Sequence, residues 1–291
     1  MPELPEVEIT RRRIEPLLVG RKIERVDTTG DHYFFLTPTR TLERALVGQR
    51  VERLERCGKY LVGHLEDGRR LLLHLGMTGQ LFSSDVSSVR LLSATARASL
   101  APEEQRRFEP DRHTHLRLRF EGGGADVFFR DVRKFGKVQL LAADEPNERL
   151  DRLGPDALGV TPELLFGATR KRKTSIKAVL LDQSVLAGVG NIYADEALYW
   201  AGIRPGRRAA GLTRAQAAAL GASLRKVLLR SIETGGSSIS DYVAPDGRDG
   251  AYQDERQVYS RTGLPCHACG TLIKRRIIAQ RSSHYCPACQ R

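Results

Sequence analysis

The chain has 291 residues, 41% of them hydrophobic and 28% charged, so it is long enough to bury a core and to form about two domains. Its formal net charge of +12 favours a polyanionic partner, although a soluble basic surface without such a partner would give the same balance. The sequence contains no run of about 18 apolar residues and no secretory signal, so we expect a protein of the reducing cytoplasm without a membrane partner.

The first half of the chain is predicted to form one helix and then a sheet. Apolar periodicity predicts a helix from Glu6 to Leu18, with Pro5 near its start and Pro16 ending or kinking it. Short apolar runs follow, and the run at 115–120 alternates strictly, which is typical of a half-buried strand. The predicted strands are 59–65, 70–75, 115–120, 126–130 and 137–141. Together they predict an antiparallel sheet domain.

The second half is predicted to be helical. The Ser83–Pro110 stretch, rich in Ser, Ala and Arg, predicts a mobile surface excursion. Proline and glycine residues between Asp144 and Thr161 indicate a domain boundary. Predicted helices are 174–182, 191–200 and 213–234, the last opening with a Thr213/Gln216 capping box. The glycine-bearing turn 184–191 opens a helix in a basic neighbourhood, a setting that suits phosphate binding but is also found in ordinary turns.

Four cysteines near the C-terminus are spaced as two Cys-x2-Cys pairs separated by 16 residues. This spacing favours a tetrahedral site for one structural Zn²⁺ over disulfides, since no signal for secretion accompanies it. The predicted ligands are Cys266, Cys269, Cys286 and Cys289. After Glu255 the chain has seven basic residues and no acidic one, which is typical of a surface that contacts a polyanion. Cys57 is expected to be a packed free thiol.

The N-terminus could supply a nucleophile. Removal of Met1, which a following proline permits, would leave Pro2 with a free secondary amine beside Glu3. An α-amino group titrates near pH 8, so its unprotonated form is available to attack an aldehyde-like carbon. Attack on the C1′ atom of a sugar would give an iminium that promotes strand cleavage by elimination, with Glu3 moving protons. Met-Pro-Glu starts are common, however, so these residues alone leave the function open.

Five separated motifs together resemble the formamidopyrimidine-DNA glycosylase family of bacterial base-excision repair. In chain order they are Met1-Pro-Glu-Leu-Pro-Glu-Val-Glu8, His74-Leu-Gly-Met-Thr-Gly79, Asp131-Val-Arg-Lys-Phe-Gly136, Gly188-Val-Gly-Asn-Ile-Tyr193 and the four-cysteine ribbon. The resemblance runs nearly end to end. It implies an α+β fold with an N-terminal antiparallel β-sandwich domain and a C-terminal helix–two-turn–helix domain with a zinc ribbon. The corresponding boundaries are 2–145, a linker at 146–160, 161–255 and 256–291.

The resemblance also implies catalytic roles. Pro2 corresponds to the Schiff-base nucleophile and Glu3 to the general acid that helps to expel the base. Lys59 matches a lysine assigned to β-elimination, although on its residues alone it is a solvated strand-end lysine. Arg281 matches the ribbon arginine that holds the phosphate beside the lesion and is assigned to δ-elimination. The implied activity is excision of oxidised purines from duplex DNA, followed by strand nicking.

Seven further residues are implied to contact damaged double-stranded DNA: Met77, His113, Arg133, Phe135, Arg172, Lys177 and Asn191. Met77, Arg133 and Phe135 match residues that fill the gap left by a flipped nucleotide, although Met77 and Phe135 would more often be core residues. An apolar side chain and an aromatic ring can wedge a base stack. His115 is expected to support its strand, and Glu6 to support the helix start.

Three departures and two alternatives accompany the resemblance. Arg172 stands where the family often has lysine, Ser283 where it often has threonine, and the Ser83–Pro110 stretch is longer than the family needs. An endonuclease VIII-like enzyme acting on oxidised pyrimidines is the alternative within the class. Leu4, together with Met77, Arg133 and Phe135, favours the purine branch over it. A non-catalytic zinc protein that binds damaged DNA is the alternative outside the class. We expect a monomer.

Overall fold

The computed structural model describes residues 2–30, 32–86, 110–170, 172–238 and 242–291, so the predicted excursion lies largely outside the described residues. The chain divides into a sheet unit, Met1–Asn147 with Thr234–Ala251, and a helical unit, Glu148–Glu233 with Tyr252–Arg291. In this division most of the predicted linker, from residue 148, and the whole predicted ribbon, 256–291, fall in the helical unit. The segment 234–251 belongs with the sheet unit, although its sequence was assigned to the helical domain.

The sheet unit begins with helix α1, Leu4–Leu18. Its start is fixed by a capping box, in which the side chains of Glu3 and Glu6 each accept a hydrogen bond from the other residue's backbone N–H. Pro16 lies in the last turn of α1, and the helix continues to Leu18. The helix thus ends two residues beyond the predicted position, because a proline so near the end removes only one intrahelical hydrogen bond.

Two four-stranded antiparallel sheets follow. The elements in chain order are β1 Ile23–Thr28, α2 Thr39–Leu46, β2 Val51–Cys57, β3 Tyr60–Leu65, β4 Arg70–His74, β5 Gly79–Ser83, β6 Thr114–Phe120, β7 Val127–Asp131 and β8 Lys137–Leu141. One sheet has the strand order β1-β6-β7-β5 and the other β2-β3-β4-β8. Every strand pair is antiparallel, which confirms the predicted antiparallel architecture.

A single apolar core joins the two sheets to α1. It includes Val7 and Ile14 of α1, Leu73 of one sheet and Leu118 and Phe129 of the other, each at most 3% exposed. Burial of a large aliphatic or aromatic side chain contributes roughly 1.5–3 kcal/mol. The core therefore holds α1 rigidly, and with it the N-terminal residues that precede the helix.

The helical unit contains six α-helices among its described residues. They are α3 Glu148–Asp151, α4 Pro162–Arg170, α5 Ile176–Leu181, α6 Asn191–Trp200, α7 Arg214–Glu233 and α8 Tyr252–Glu255. The predicted helix at 191–200 agrees with α6. The predicted capping box is present, since the backbone N–H of Gln216 donates to Thr213 Oγ1 at 3.2 Å and that of Thr213 donates to Gln216 Oε1 at 3.1 Å.

The C-terminal ribbon contains a hairpin of β9, Lys274–Ile278, and β10, Arg281–Tyr285. Its two-residue turn, Ala279 and Gln280, has φ angles of 49° and 58°. Positive φ at both central residues is the geometry of a type I′ turn, which matches the twist of the paired strands. Arg281 is the first residue after this turn. Within the described parts of the chain, no helix combines the length and apolar character needed to cross a membrane.

Candidate active site and nucleic-acid interface

The N-terminal residues are buried at the start of α1. Pro2 is buried, and Glu3 is 2% exposed. The Glu3 carboxylate accepts a hydrogen bond from the backbone N–H of Glu6, which fixes its orientation at the positive end of the helix dipole. A proline that can carry a free amine therefore directly precedes an oriented, buried carboxylate.

Glu6 joins this helix start to a second segment of the sheet unit. Its Oε2 accepts from the Glu3 backbone N–H at 2.9 Å, and its Oε1 accepts from the Ser237 backbone N–H at 2.9 Å. The side chain is 1% exposed. Gly236 has a φ of 87°, and a Cβ there would lie 3.2 Å from Glu6 Oε1. Glu6 thus supports the helix start, as expected, and also anchors the segment that follows α7.

Lys59 lies in the tight turn between β2 and β3 and is half-buried. The preceding Gly58 has a φ of 58°, in the left-handed region that favours glycine. The Arg56 guanidinium donates to the Gly58 carbonyl at 3.0 Å and to Glu8 Oε2 at 3.0 Å. The turn that presents Lys59 is therefore bonded through Arg56 to α1.

The loops that carry Met77 and Phe135 lie side by side. A Cβ at Gly76 would overlap the backbone of Phe135 and Gly136, so these loops pack backbone to backbone. Met77 is half-buried, and Phe135 is 46% exposed. The Arg133 guanidinium carbon lies 4.7 Å from the centre of the Phe135 ring. Met77 therefore lies on one of two adjoining loops, and Arg133 and Phe135 lie on the other; we call these three residues the Met77 cluster. The exposed Phe135 ring is not a core residue.

Asp131, at the end of β7, holds this cluster in place. Its carboxylate accepts hydrogen bonds from the Thr78 hydroxyl, from the Arg133 backbone N–H at 3.2 Å and from the Gly136 backbone N–H at 2.7 Å. Asp131 is fully buried. A buried carboxylate that accepts several hydrogen bonds fixes the backbone around it. The exposed side chains of the cluster are therefore attached to a rigid loop.

The two histidines at the start of β6 have different environments. His113 is half-buried, and its backbone carbonyl accepts from the Asp131 N–H at 2.9 Å. His115 is fully buried, with Nδ1 3.0 Å from Thr29 Oγ1 and Nε2 3.0 Å from the Asp131 carbonyl oxygen. Burial lowers the pKa of both imidazoles. His115 supports its strand as expected, whereas His113 retains access to solvent.

In the helical unit, the turn before α6 is organised by one side chain. Gln183 donates from Nε2 to the carbonyls of Leu181 and Val189 and accepts from the Gly188 N–H at 3.0 Å. Asn191, the first residue of α6, is half-buried at the helix N-terminus. Free backbone N–H groups at such a terminus bind anions. Arg172 forms an ion pair with Asp182 at 2.8 Å, so its guanidinium already has a protein partner.

Lys177 is buried inside the helical unit. It is fully buried, and its Nζ lies 2.6 Å from Asp195 Oδ1 and 2.8 Å from the Ser282 carbonyl oxygen. Asp195 also accepts from the Ser283 hydroxyl at 3.0 Å and from the His284 N–H at 2.8 Å. The predicted contact with a DNA phosphate would therefore require this buried ion pair to open. Lys177 joins α5 and α6 to β10.

The four C-terminal cysteines form a metal site. Their sulfur atoms all lie within 4.8 Å of one another, and adjacent Sγ atoms are separated by 3.4 Å, 3.5 Å and 3.9 Å. A zinc ion bound tetrahedrally at about 2.3 Å from each sulfur requires S–S separations of about 3.8 Å. The donor set and spacing fit one structural Zn²⁺ with no open position. The Tyr199 hydroxyl lies 3.4 Å from Cys266 Sγ, within hydrogen-bond reach.

Comparisons with known proteins cover the whole chain. Residues 1–138 match the formamidopyrimidine-DNA glycosylase N-terminal domain, 153–243 the H2TH domain of the same enzymes, and 263–291 the zinc finger found in FPG and IleRS. A formamidopyrimidine-DNA glycosylase from Cereibacter sphaeroides is 43% identical over the full length of both chains. The chain belongs to the formamidopyrimidine-DNA glycosylase family.

Solved structures of glycosylases in this family have the same fold. The crystal structure from Thermus thermophilus has a TM-score of 0.82 at 38% identity, covering 99% of this chain and 98% of that one. A Lactococcus lactis mutant in complex with DNA containing Fapy-dG has a TM-score of 0.85 at 33% identity, with both chains fully covered. The predicted fold class, family and zinc ribbon are confirmed.

Two sets of hydrogen bonds that hold this glycosylase site together were not predicted from the sequence. One is the bond from Ser237 to Glu6, and the other is the set of bonds that Asp131 accepts around the Met77 cluster. The first joins residues more than 200 positions apart, so no local pattern signals it. The second has a weak signal, because Asp131 is an acidic residue at the end of an apolar strand and precedes a loop.

Proposed function

We propose that the chain is a bifunctional DNA glycosylase and abasic-site lyase that excises oxidised purines, including 8-oxoguanine and formamidopyrimidines, from duplex DNA. The observation that carries this proposal is the position of Pro2 beside the buried, oriented carboxylate of Glu3. Related glycosylases support the substrate class, since their structures contain DNA with Fapy-dG, with an abasic site or with a carbocyclic 8-oxo-G.

The proposed reaction begins once Met1 has been removed. The Pro2 nitrogen attacks C1′ of the damaged nucleoside, and the bond from C1′ to the base breaks as the base takes up a proton. Glu3 then transfers the proton lost by the Pro2 nitrogen to the ring oxygen as the sugar ring opens. The product is an iminium between Pro2 and C1′. This cation withdraws electrons from C2′, so a C2′ proton is lost to a base and the bond from C3′ to the phosphate oxygen breaks. In this proposal, Lys59 assists that β-elimination.

DNA binding is proposed to use both the helical unit and the ribbon. Arg281 is exposed at the tip of the β9–β10 hairpin, and Asn191 begins α6. Each offers a donor for a phosphate oxygen, so binding should weaken as salt rises. Arg281 would hold the phosphate beside the lesion and assist the second, δ-elimination. Arg172 would contribute a phosphate contact only if its pair with Asp182 opens.

Met77, Arg133 and Phe135 are proposed to replace the flipped nucleotide. Extrusion of a base costs a few kcal/mol of stacking and pairing. Insertion of an exposed ring and a neighbouring side chain offsets part of that cost, while the guanidinium can bond to the base left unpaired. The hydrogen bonds that Asp131 accepts support this role, because they fix the loop that carries these side chains, and a side chain that enters a base stack must keep its position. His113 would contact the DNA backbone nearby.

Borohydride trapping tests the proposal directly. The protein is incubated with a duplex containing 8-oxoguanine in the presence of sodium borohydride, and the adduct is located by mass spectrometry. We expect reduction of the iminium to leave a covalent bond at Pro2. Pro2→Gly and Glu3→Gln should lose base excision while duplex binding remains measurable. Full excision by Pro2→Gly would overturn the assignment.

Substrate comparison separates this function from its nearest alternative. The same assay is run on a matched duplex carrying an oxidised pyrimidine. Faster excision of the pyrimidine would assign an endonuclease VIII-like activity to the chain. Binding to both duplexes without any adduct would assign a DNA-binding protein without lyase chemistry.

We further propose that the chain acts as a monomer. We also propose that it works in the bacterial cytoplasm, at the nucleoid, because its substrate is DNA.

A further inference from the structure

Glu8 of α1 is the centre of a buried charge cluster. Its carboxylate accepts from the guanidinium groups of Arg11 and Arg12 on the same helix and from Arg56 Nε at 3.0 Å. The side chains of Glu8 and Arg56 are 9% and 8% exposed, whereas Arg12 is 56% exposed. Arg56 is therefore the buried partner, and the only one of these three arginines that comes from another element.

Arg56 connects two places that the proposed reaction uses. Its Nε donates to Glu8, and its Nη1 donates to the carbonyl of Gly58, whose left-handed backbone sets the direction of Lys59. Glu8 lies five residues after Glu3 on the same helix, or roughly 8 Å along the axis at about 1.5 Å per residue. A single guanidinium thus ties the helix that presents Pro2 to the turn that presents Lys59.

A buried ion pair is by itself weak evidence for a contribution to stability, because the desolvation cost can exceed the attraction. The arrangement here has a further property. A guanidinium holds two acceptors in a fixed relative geometry, which a lysine ammonium does not reproduce. Apolar packing alone would fill the same volume but would leave the Gly58 carbonyl without this donor. The Glu8–Arg56 pair therefore fixes the position of the Gly58–Lys59 turn in addition to neutralising the buried charge of Glu8.

We propose that Glu8 and Arg56 are positioning residues that hold Lys59 in register with the Pro2 amine, so that the open-chain intermediate proceeds to strand cleavage instead of being released. This inference rests on the proposed function. Neither residue touches the reacting sugar, and both act through the Gly58–Lys59 turn. The affected step is loss of the C2′ proton, whereas expulsion of the base depends on Pro2 and Glu3, which α1 presents independently of the turn.

The test measures how the intermediate divides between two fates. Single-turnover reactions on an 8-oxoguanine duplex are stopped with acid, and abasic strand is separated from nicked strand. We expect Arg56→Gln and Glu8→Gln to raise the ratio of abasic to nicked product by about tenfold, since small misplacement of a catalytic group costs one to two orders of magnitude. Arg53→Gln is the matched control, because Arg53 is an exposed residue of the same strand.

The product ratio distinguishes positioning from a general loss of structure. Partial unfolding lowers both products in proportion to the folded fraction and leaves their ratio at the wild-type value. If Arg56→Gln does not fold, Arg56→Lys provides the measurement, since its ammonium can pair with Glu8 but cannot hold both acceptors in the guanidinium geometry. The double variant, Glu8→Gln with Arg56→Gln, should not exceed the larger single effect, because residues acting as one unit are non-additive.

Each result has a defined meaning. A raised ratio in the folded variants, with Arg53→Gln at the wild-type value, supports the positioning role. A wild-type ratio in folded Arg56→Gln and Arg56→Lys overturns it. Failure of the proposed function gives a different result, since the wild-type protein would then produce neither abasic nor nicked strand. The two failures are therefore separable within one experiment.

Discussion

The Lys177 ammonium lies 2.6 Å from the Asp195 carboxylate, and both side chains are fully buried. Asp195 also accepts hydrogen bonds from Ser283 and His284 of β10. The pair therefore joins two helices to the β9–β10 hairpin of the ribbon. Arg281, the residue proposed to hold a phosphate, begins the same strand. We therefore expect Lys177 to act on DNA binding by fixing the hairpin, and this expectation gives two predictions.

Replacement of Lys177 should lower stability strongly. Lys177→Met leaves the buried Asp195 charge without its ammonium partner, and loss of one member of a buried pair typically costs about 3–5 kcal/mol. The Ser283 and His284 donors remain, so we expect a value near the lower end. Urea unfolding followed by the fluorescence of Trp200, the single tryptophan, reports on α6, which carries Asp195. Lys173→Met, at an exposed lysine, should change stability by less than about 0.5 kcal/mol.

The same variant distinguishes a buried support from a direct phosphate contact. A lysine that neutralises one phosphate contributes about one unit to the slope of log K against log salt. The burial of Lys177 predicts that this slope is unchanged in the folded Lys177→Met protein. Fluorescence anisotropy titrations at several salt concentrations measure it. A slope reduced by about one unit would instead assign a direct phosphate contact to Lys177.

Zinc should be required for the ribbon to fold. The apolar cluster beneath the ribbon contains only five buried residues: Tyr199, Val258, Cys266, Ile273 and Cys286. So small a core does not stabilise a fold without a metal or disulfides. We expect one zinc ion per chain, and we expect Cys269→Ser to reduce both zinc content and duplex affinity. Metal analysis of purified protein measures the first quantity, and Cys57→Ser, outside the cluster, should retain the full zinc content.

Patterns within a short stretch of chain predicted the structure well. The cysteine spacing gave the metal site, and the capping box at Thr213 gave the start of α7 at Arg214. The capping box depends on a hydrogen bond between residues three positions apart. The cysteine pattern depends on the fixed tetrahedral geometry of a zinc ion. The short strands β1 and β2 were missed because only two residues in each are buried, which leaves a weak apolar period.

Features that depend on distant contacts could not be read from the sequence. Lys177 follows the basic run at 170–173, and the family resemblance implied that it contacts DNA. Only the fold shows that Asp195 and Ser282 surround it. Phe135 gave the opposite difficulty, because an aromatic residue is usually buried and this one is 46% exposed. In both cases the side chain is placed by tertiary packing, which overrides the average behaviour of its residue type.

Glu8 should make the stability of the protein depend on acid pH. Burial alone would raise the pKa of this carboxyl, but hydrogen bonds and charge from Arg11, Arg12 and Arg56 outweigh it and lower the pKa to about 2 from 4.5. A lowered pKa stabilises the folded state above the unfolded value, and this contribution is lost as pH falls from about 4.5 to 2. The shift corresponds to roughly 3 kcal/mol at neutral pH.

The measurement is the difference in unfolding free energy between the wild type and Glu8→Gln. We expect it to be largest at pH 6–7 and to shrink toward zero as pH approaches 2. Glu15→Gln removes the partly exposed partner of Arg11 and should change stability by well under about 1 kcal/mol at any pH. A Glu8→Gln difference that stays constant between pH 7 and pH 3 would contradict the predicted ionisation.

Phe135 should matter for excision and little for folding. Its ring is 46% exposed and lies against Arg133, so Phe135→Ala removes little buried surface. Loss of the wedge should slow excision of 8-oxoguanine from a duplex by at least about tenfold, because a few kcal/mol of unstacking is no longer offset. Val132→Ala is a matched control, since Val132 is 47% exposed in the same loop. Single-turnover excision rates measure the effect.

A lesion opposite an abasic analogue flips at lower cost, so the Phe135→Ala defect should shrink on that substrate. An equal defect on both substrates would assign the ring to another step.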